Sequence, residues 1–348
     1  MQRSIYVRPV GMFPAKGGDG PLPEQPETWG GLPLAGTRFD FAALEVIARE
    51  GTGVVRRTVS LSEALRTPRP RLAGLSLDRP RIMGIVNVTP DSFSDGGRLG
   101  SVEAAVAHAL KLADDGADIL DVGGESTRPG SDAVALEEEL RRVIPVIEGL
   151  RGRTDKLISI DTRKAEVMKR AARAGADILN DVSALTHDPA ALDVAAESGL
   201  PVMLMHAQGD PKTMNHDPKY SDVVLDVFDF LERRIQACEA AGIPKARIVA
   251  DPGIGFGKHL HHNVAVMAGL SLYHGLGVPL LLGASRKKMI GQLCDVPDPK
   301  DRVPGSLATV LAGAGQGVQI FRVHDVAETR QALLVWLASV FGTEKGLG

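Results

Sequence analysis

From residue 81 onward, short runs of β-branched and aliphatic residues recur, each ending in glycine or polar residues and followed by an amphipathic segment. The runs lie at 82–88, 119–122, 157–160, 178–179, 202–205, 248–250, 280–282 and 320–323. Nearly continuous apolar runs are what parallel strands covered on both faces require, because neither face is offered to water. The segments between them, at 102–114, 136–150, 165–174 and 223–241, have helical spacing. Strand alternating with helix predicts a parallel sheet of the α/β class. Eight units over about 260 residues predict a closed (β/α)8 TIM barrel spanning 81–345. An open doubly wound sheet is the alternative. Gly116, Gly175, Gly199 and Gly242 each stand between a helical segment and the next run, where a left-handed cap is wanted.

Residues 1–80 break this pattern and read as an N-terminal extension, small α/β or irregular, with prolines and glycines crowded between 11 and 33. Strands are expected at 4–10 and 54–61. A helix is expected at 41–49, where Ala42, Ala43, Val46 and Ile47 fall on one side. The 348 residues are 44% hydrophobic and 24% charged, enough for a sizeable core. A formal net charge of -3 leaves no global positive field for nucleic acid or an anionic membrane, so any anion must be held locally. Cys238 and Cys294 have no ligand spacing, which argues against a disulfide framework or a zinc site. The apolar stretch near Met1 is too short for a signal peptide, and no run approaches the roughly 18 apolar residues of a membrane span. A cytoplasmic enzyme is expected.

A barrel builds its site from the segments that follow the strands. Here these are 87–97, beginning at Asn87; 123–130, Gly-Gly-Glu-Ser-Thr-Arg-Pro-Gly; Asp161-Thr-Arg; Asn180-Asp181; and His206-Ala-Gln-Gly. They continue with 251–258, Asp-Pro-Gly-Ile-Gly-Phe-Gly-Lys; Ser285-Arg-Lys-Lys; and Arg322-Val-His. Asp181 and Asp188 read as turn-formers or caps. Asp161, Asn180 and Asp251 instead place short hydrogen-bonding groups at one height, suited to a flat heterocycle with an amidine-like donor edge, such as a pterin. Lys287 can then donate to the ring's acceptors. Arg322 can lie flat over the ring by cation–π contact, an ordinary surface ion pair being its alternative. Asn87, Thr127, Arg128, Arg322 and His324, with loop N–H groups near Gly123 and Gly124, can hold a pyrophosphate. Arg322 and His324 share one strand face. Pyrophosphate brings Mg2+, with Asn87 as candidate ligand and Asp95 in its outer shell.

The glycine-rich segment 253–258 is neither nucleotide motif. Pro252 and His259 occupy positions where a P-loop needs glycine and Ser or Thr, and Lys258 replaces the last glycine of a dinucleotide fingerprint. No Gly-x-Ser-x-Gly elbow supports a nucleophilic serine.

Taken in order, segments 87–97, 121–130, 160–162, 180–181, 251–258, 285–287 and 322–326 resemble those of the dihydropteroate synthases, as does 206–214. The resemblance covers about residues 81–340 and leaves the first 80 unaccounted for. It implies condensation of hydroxymethyl-dihydropterin pyrophosphate with p-aminobenzoate by a dissociative substitution, with Mg2+ as cofactor. It implies that Asp161, Asn180, Met203, Asp251, Phe256, Lys287 and Arg322 bind the pterin, and that Asn87, Thr127, Arg128, Arg322 and His324 hold pyrophosphate, with Asn87 also on the metal. Two mobile loops, carrying Asp91, Phe93 and Asp95 and then Arg128 and Pro129, are implied to close over p-aminobenzoate. That substrate would touch Phe93, Pro129, Lys287 and Lys288, and sulfonamides would compete there. Arg128, Lys287, Arg322 and Asp95 are the implied catalytic residues, and a homodimer joined through late helices such as 332–340 is the implied assembly. Lys288 departs from the Ser or Arg common after Ser-Arg-Lys in the family. A methyltetrahydrofolate:corrinoid methyltransferase on the same kind of barrel, or a pterin-binding paralogue without chemistry, is the rival reading.

Overall fold

A computed structural model of the chain describes residues 5–14, 32–33, 39–50, 53–59, 71–88, 98–126, 131–209, 214 and 217–342. All eight expected strands form: β5 (Arg81–Asn87), β6 (Ile119–Gly123), β7 (Leu157–Asp161), β8 (Ile178–Asp181), β9 (Val202–Met205), β10 (Ile248–Asp251), β11 (Leu281–Leu282) and β12 (Ile320–Val323). They lie in the order β10-β9-β8-β7-β6-β5-β12-β11, and a parallel bridge between Ala250 and Leu280 joins the two ends into a ring. The sheet is therefore a closed barrel and not an open doubly wound one. Between and after the strands run α1 (Arg98–Asp114), α2 (Leu136–Leu150), α3 (Ala165–Ala174), α4 (Ala191–Ser198), α5 (Val223–Ala240), α6 (Leu260–Ala268), α7 (Lys288–Cys294), α8 (Val303–Ala314) and α9 (Val326–Phe341).

Strand periodicity of two splits the apolar residues into two cores. Leu120, Val122, Ile158, Ile160, Val202 and Leu204 face outward and pack with helix residues such as Val143, Val146, Ile147 and Met168. Met83, Ile119, Ile178, Met203, Val249, Leu281 and Ile320 face inward and form an apolar floor, with Leu72 and Leu77 packed into the same cluster. Helix α2 shows the local logic. Leu140, Val143, Val146, Ile147 and Leu150 fall on its buried side, and Glu137, Glu138 and Glu139 sit in its first turn, where the exposed N–H groups favour acids. Helix α3 stops at Gly175, whose φ of 109° is the left-handed cap expected from the sequence. Gly116, Gly199 and Gly242 also adopt positive φ.

The extension contains strands β1 (Ile5–Pro14), β2 (Leu32–Pro33), β3 (Phe39–Glu50) and β4 (Gly53–Val59) in an antiparallel sheet. The helix expected at 41–49 is overturned, because this stretch is β3, paired with β1 on one edge and with β2 and β4 on the other. A helix this short has little stability alone. Ladders on both edges supply its backbone bonds instead, and period two brings Phe41 and Ile47 onto one buried face.

Phe321, fully buried on β12, anchors the outer core. Phe321→Ala is expected to lower stability by about 3–5 kcal/mol, measured as a fall in the denaturant midpoint at unchanged slope.

Candidate active site

Residues on the inward faces of the strands change character above the apolar floor. Two positions beyond Ile119 stands Asp121, and two beyond Ile178 stands Asn180; Asp161, Asp251 and Arg322 occupy equivalent places at the C-terminal ends of β7, β10 and β12. Arg322 donates from Nε to Asp121 Oδ2 at 2.6 Å and from Nη2 to Asp161 Oδ2 at 2.7 Å. Asn180 Nδ2 lies 3.2 and 3.3 Å from the two Asp121 oxygens. The guanidinium is thus clamped between two buried acids, so the surface ion pair is ruled out as its role. Asp161 Oδ1 is buried and has no hydrogen-bond partner among the described residues. An acceptor desolvated in this way is destabilised until a donor reaches it.

The pattern of strand-end residues in the sequence assigned no role to Asp121. Its signal is an acid inside the aliphatic run Ile119-Leu-Asp-Val, since a charged residue is almost never fully buried unless paired. Met203 pairs in register with Asn180 and belongs to the floor, one layer below the polar groups. Phe256 packs instead with Met205 and Met214, neither of which sequence spacing could single out.

The loop after β10 curls back over the mouth. Asp251 Oδ1 accepts the Gly253 N–H at 2.7 Å. Lys258 is buried beneath the loop, where Nζ donates to Gly253 O at 2.8 Å and Phe256 O at 3.1 Å and lies 2.8 Å from His206 Nδ1. Opposite, Lys287 Nζ lies 4.0 Å from the centre of the Phe256 ring. Lys287 is presented by Arg286, a non-glycine residue at φ 57°. That strained turn is held by Ser306 Oγ on the Arg286 N–H at 2.8 Å and by the Arg286–Asp325 ion pair. Lys288 is the first residue of α7. His324 Nδ1 lies 3.0 Å from Ser285 Oγ. Asn87 ends β5 in register with Gly123. Beyond Gly123, Glu125 pairs with Arg163 and Lys164, and Lys164 also pairs with Glu139. The structure therefore gathers Asn87, Asp161, Asn180, Asp251, Phe256, Lys287, Lys288, Arg322 and His324 at one end of the barrel. Asp91, Phe93, Asp95, Thr127, Arg128 and Pro129 lie outside the described residues. Asp181 and Asp188 cap turns as expected, accepting N–H groups from Ser183 and Leu185 and from Ala165 and Ala190.

Burial shapes the charges here. It pushes the Asp161 carboxyl up, against the pull of Arg322 and with the help of Asp121. Desolvation works against the Arg322 cation, and Asp121 and Asp161 more than offset it, so the guanidinium stays charged. Burial also raises Asp251 to about 6, opposed by the Gly253 N–H and by Lys287. Lys258 is brought down to about 7 by burial. His206 is held well below its ordinary value by burial and by Lys258, and stays neutral. The result is a buried rim in which cations and carboxylates are interleaved, Arg322 lying between Asp121 and Asp161.

A profile of the family described as pterin binding enzyme matches residues 83–324. The dihydropteroate synthase of Escherichia coli strain K12 is 52% identical over 270 residues, which cover 78% of this chain and 95% of that protein. A Xanthomonas albilineans dihydropteroate synthase solved with 4-aminobenzoic acid superposes with a TM-score of 0.74 at 56% identity, over 78% of this chain and 98% of that one. The Yersinia pestis dihydropteroate synthase in a sulfonamide drug complex gives 0.72 at 50% identity, over 76% and 96%.

Since burial raises Asp251 from 3.8 to about 6, its contribution to stability is fully present below about pH 3.8 and is lost as pH rises through about 6. Asp251→Asn keeps an acceptor for the Gly253 N–H and cannot ionise. It is expected to raise the thermal midpoint over wild type at pH 8 but not at pH 4; a difference independent of pH would contradict this.

Proposed function

The chain belongs to the pterin-binding enzyme family and, within it, to the dihydropteroate synthases, and from that premise we propose how its barrel mouth carries out the reaction. The reaction condenses hydroxymethyl-dihydropterin pyrophosphate with p-aminobenzoate, giving dihydropteroate and pyrophosphate. The observation that carries our assignment is the Arg322 guanidinium clamped by Asp121 and Asp161 beside the unpartnered Asp161 Oδ1.

The donor edge of the pterin meets Asp161 Oδ1, Asn180 and Asp251, while Lys287 donates to the ring's carbonyl and nitrogen acceptors. Met203 floors the pocket and Phe256 walls it. Arg322 is preorganised by its two acids, so it meets ring and leaving group without reorganising, the condition under which charge stabilisation is strongest. The pyrophosphate is held by Asn87, Thr127, Arg128, Arg322 and His324. With Nδ1 beside Ser285, the His324 ring is oriented to offer Nε2 to a phosphate oxygen.

Among the described residues no group of three His, Cys, Asp or Glu side chains could hold a metal. The Asn87 side-chain oxygen, with Asp95 in the outer shell, would hold Mg2+, an ion that is content with one or two protein oxygens beside a phosphate. Bound there, Mg2+ would neutralise charge on the leaving pyrophosphate. The C–O bond breaks with its electron pair going to pyrophosphate, leaving a resonance-stabilised pterin methylene cation. The p-aminobenzoate nitrogen then forms the C–N bond and gives up a proton to the released pyrophosphate or to water. A weak nucleophile needs positioning more than a base, and Phe93, Pro129, Lys287 and Lys288 supply it, with Asp95 and Arg128 completing the catalytic set.

Sulfonamides compete at the p-aminobenzoate subsite, a reading supported by the drug complex of the Yersinia pestis relative. No helix among the described residues is long and apolar enough to cross a membrane; a cytoplasmic location is part of the same proposal. Two copies pair through α9, where Val335 is 63% exposed.

Arg322→Ala is expected to lower kcat about 10²–10³-fold in an assay of pyrophosphate release that depends on p-aminobenzoate. Near-normal turnover by the folded variant would remove Arg322 from the mechanism. Chelation of Mg2+ is expected to stop release and weaken calorimetric binding of pyrophosphate, with both restored by added Mg2+. Full activity after chelation would contradict the Asn87 site.

A further inference from the structure

Strands β1 to β4 lie outside the family match, which begins at residue 83, yet their side chains are bonded to the barrel beside the pterin-facing loop. Tyr6 on β1 is fully buried, and its hydroxyl donates to Asp229 Oδ1 at 2.8 Å. Arg49 on β3 donates from Nε to the Tyr6 oxygen at 2.9 Å and from Nη2 to Asp226 Oδ1 at 2.7 Å. The second Asp226 oxygen accepts the backbone N–H of Ser221 at 2.8 Å and of Asp222 at 3.2 Å. The residue before Ser221 is Tyr220, whose hydroxyl donates to Gly257 O at 2.6 Å. Gly257 is flanked by Phe256 and Lys258, so a line of hydrogen bonds, joined by the chain between Tyr220 and Ser221, runs from the extension to the wall of the pterin pocket.

We propose that the N-terminal sheet is a positioning element for pterin binding: Arg49, acting through Asp226 and Tyr220, fixes the 253–258 loop that carries Phe256. The loop needs outside pins. Its glycines at 253, 255 and 257 have φ of 69°, 86° and 60°, a backbone with little steric preference for one path. Lys258 pins it from below through Gly253 O and Phe256 O. Tyr220 pins it from the outer side. A cavity of about 290 Å3 lined by His206, Tyr220, Asp226, Asp229, Phe230 and other residues lies beside this line, so neighbouring side chains only partly fill the space around it. Asp226 is the joint, with one oxygen on the extension and the other on the barrel.

This inference rests on the reading that the 253–258 loop faces the pterin. The test uses the full-length enzyme with Arg49→Ala, Tyr220→Phe, the double variant and Phe256→Ala, following KM for each substrate, kcat, and calorimetric binding of the dihydropterin pyrophosphate without p-aminobenzoate. Arg49→Ala is expected to weaken pterin binding about tenfold while the KM for p-aminobenzoate stays within about twofold, as misplacement of one wall would do. Tyr220→Phe, which removes only a hydroxyl and keeps the fold testable if Arg49→Ala unfolds, is expected to give the same selective loss. The double variant is expected to lose no more than either single one, because both cut the same line. Arg49→Lys is expected to restore part of the affinity by keeping the charge at Asp226. Unchanged pterin binding in Arg49→Ala and Tyr220→Phe alongside weakened binding in Phe256→Ala would overturn the positioning role alone. Unchanged binding in all three would overturn the placement of the pterin as well. Equal losses for both substrates, or multiplying losses in the double variant, would reduce the extension to a general stabiliser and also overturn the proposal.

Discussion

A cation buried between two carboxylates organises the mouth of this barrel. Taking Arg322, Asp121 and Asp161 out of water costs several kcal/mol per ion, and their mutual attraction repays that only with near-ideal geometry and with the remaining lone pairs satisfied. The strands meet the geometric condition. Asp121, Asp161 and Arg322 project from rigid, mutually bonded positions, and Asn180 takes up the Asp121 oxygens. The second condition is left unmet at one atom, Asp161 Oδ1. A nitrogen-rich ring that offers an N–H there completes a network the protein leaves incomplete, which turns a folding cost into binding specificity.

The same rigidity explains the division of labour around the rim. Asp161, Asn180, Asp251 and Arg322 sit on strand ends, where closure of the sheet fixes them. Lys287 sits instead on the segment after β11, its ammonium over the Phe256 ring. The two placements are joined by strained or buried anchors. Arg286 is held in the left-handed region so that Lys287 faces Phe256, and the neutral His206 and the buried Lys258 side chain sit under the glycine-rich loop. The N-terminal sheet brings a further set of charged contacts to this framework from outside the barrel, at Asp226 and Asp229.

Much of this was legible in the chain. Period two and period 3.6 are local consequences of backbone geometry, so the eight apolar runs became eight strands with bounds close to those expected, and the glycine after α3 became its cap. The polar residues that end each run were likewise bound to meet once the barrel closed, which placed Asp161, Asn180, Asp251, Lys287 and Arg322 at one rim. The stretch at 41–49 went the other way. Its helical spacing was a weak local preference, and pairing with β1 and β4 outweighed it.

Sequence alone therefore determined the barrel, the side of it on which chemistry gathers and the family to which it belongs, because these follow from periodicity and from which residue types end each strand. Only the tertiary structure decided what each charge is bonded to. Asp121 became the partner of Arg322, Lys258 became a buried anchor beside His206, and Arg49 reached Asp226 across 177 positions of chain. Such pairings depend on which strands and loops come together in space, and no local pattern in the chain encodes that distance.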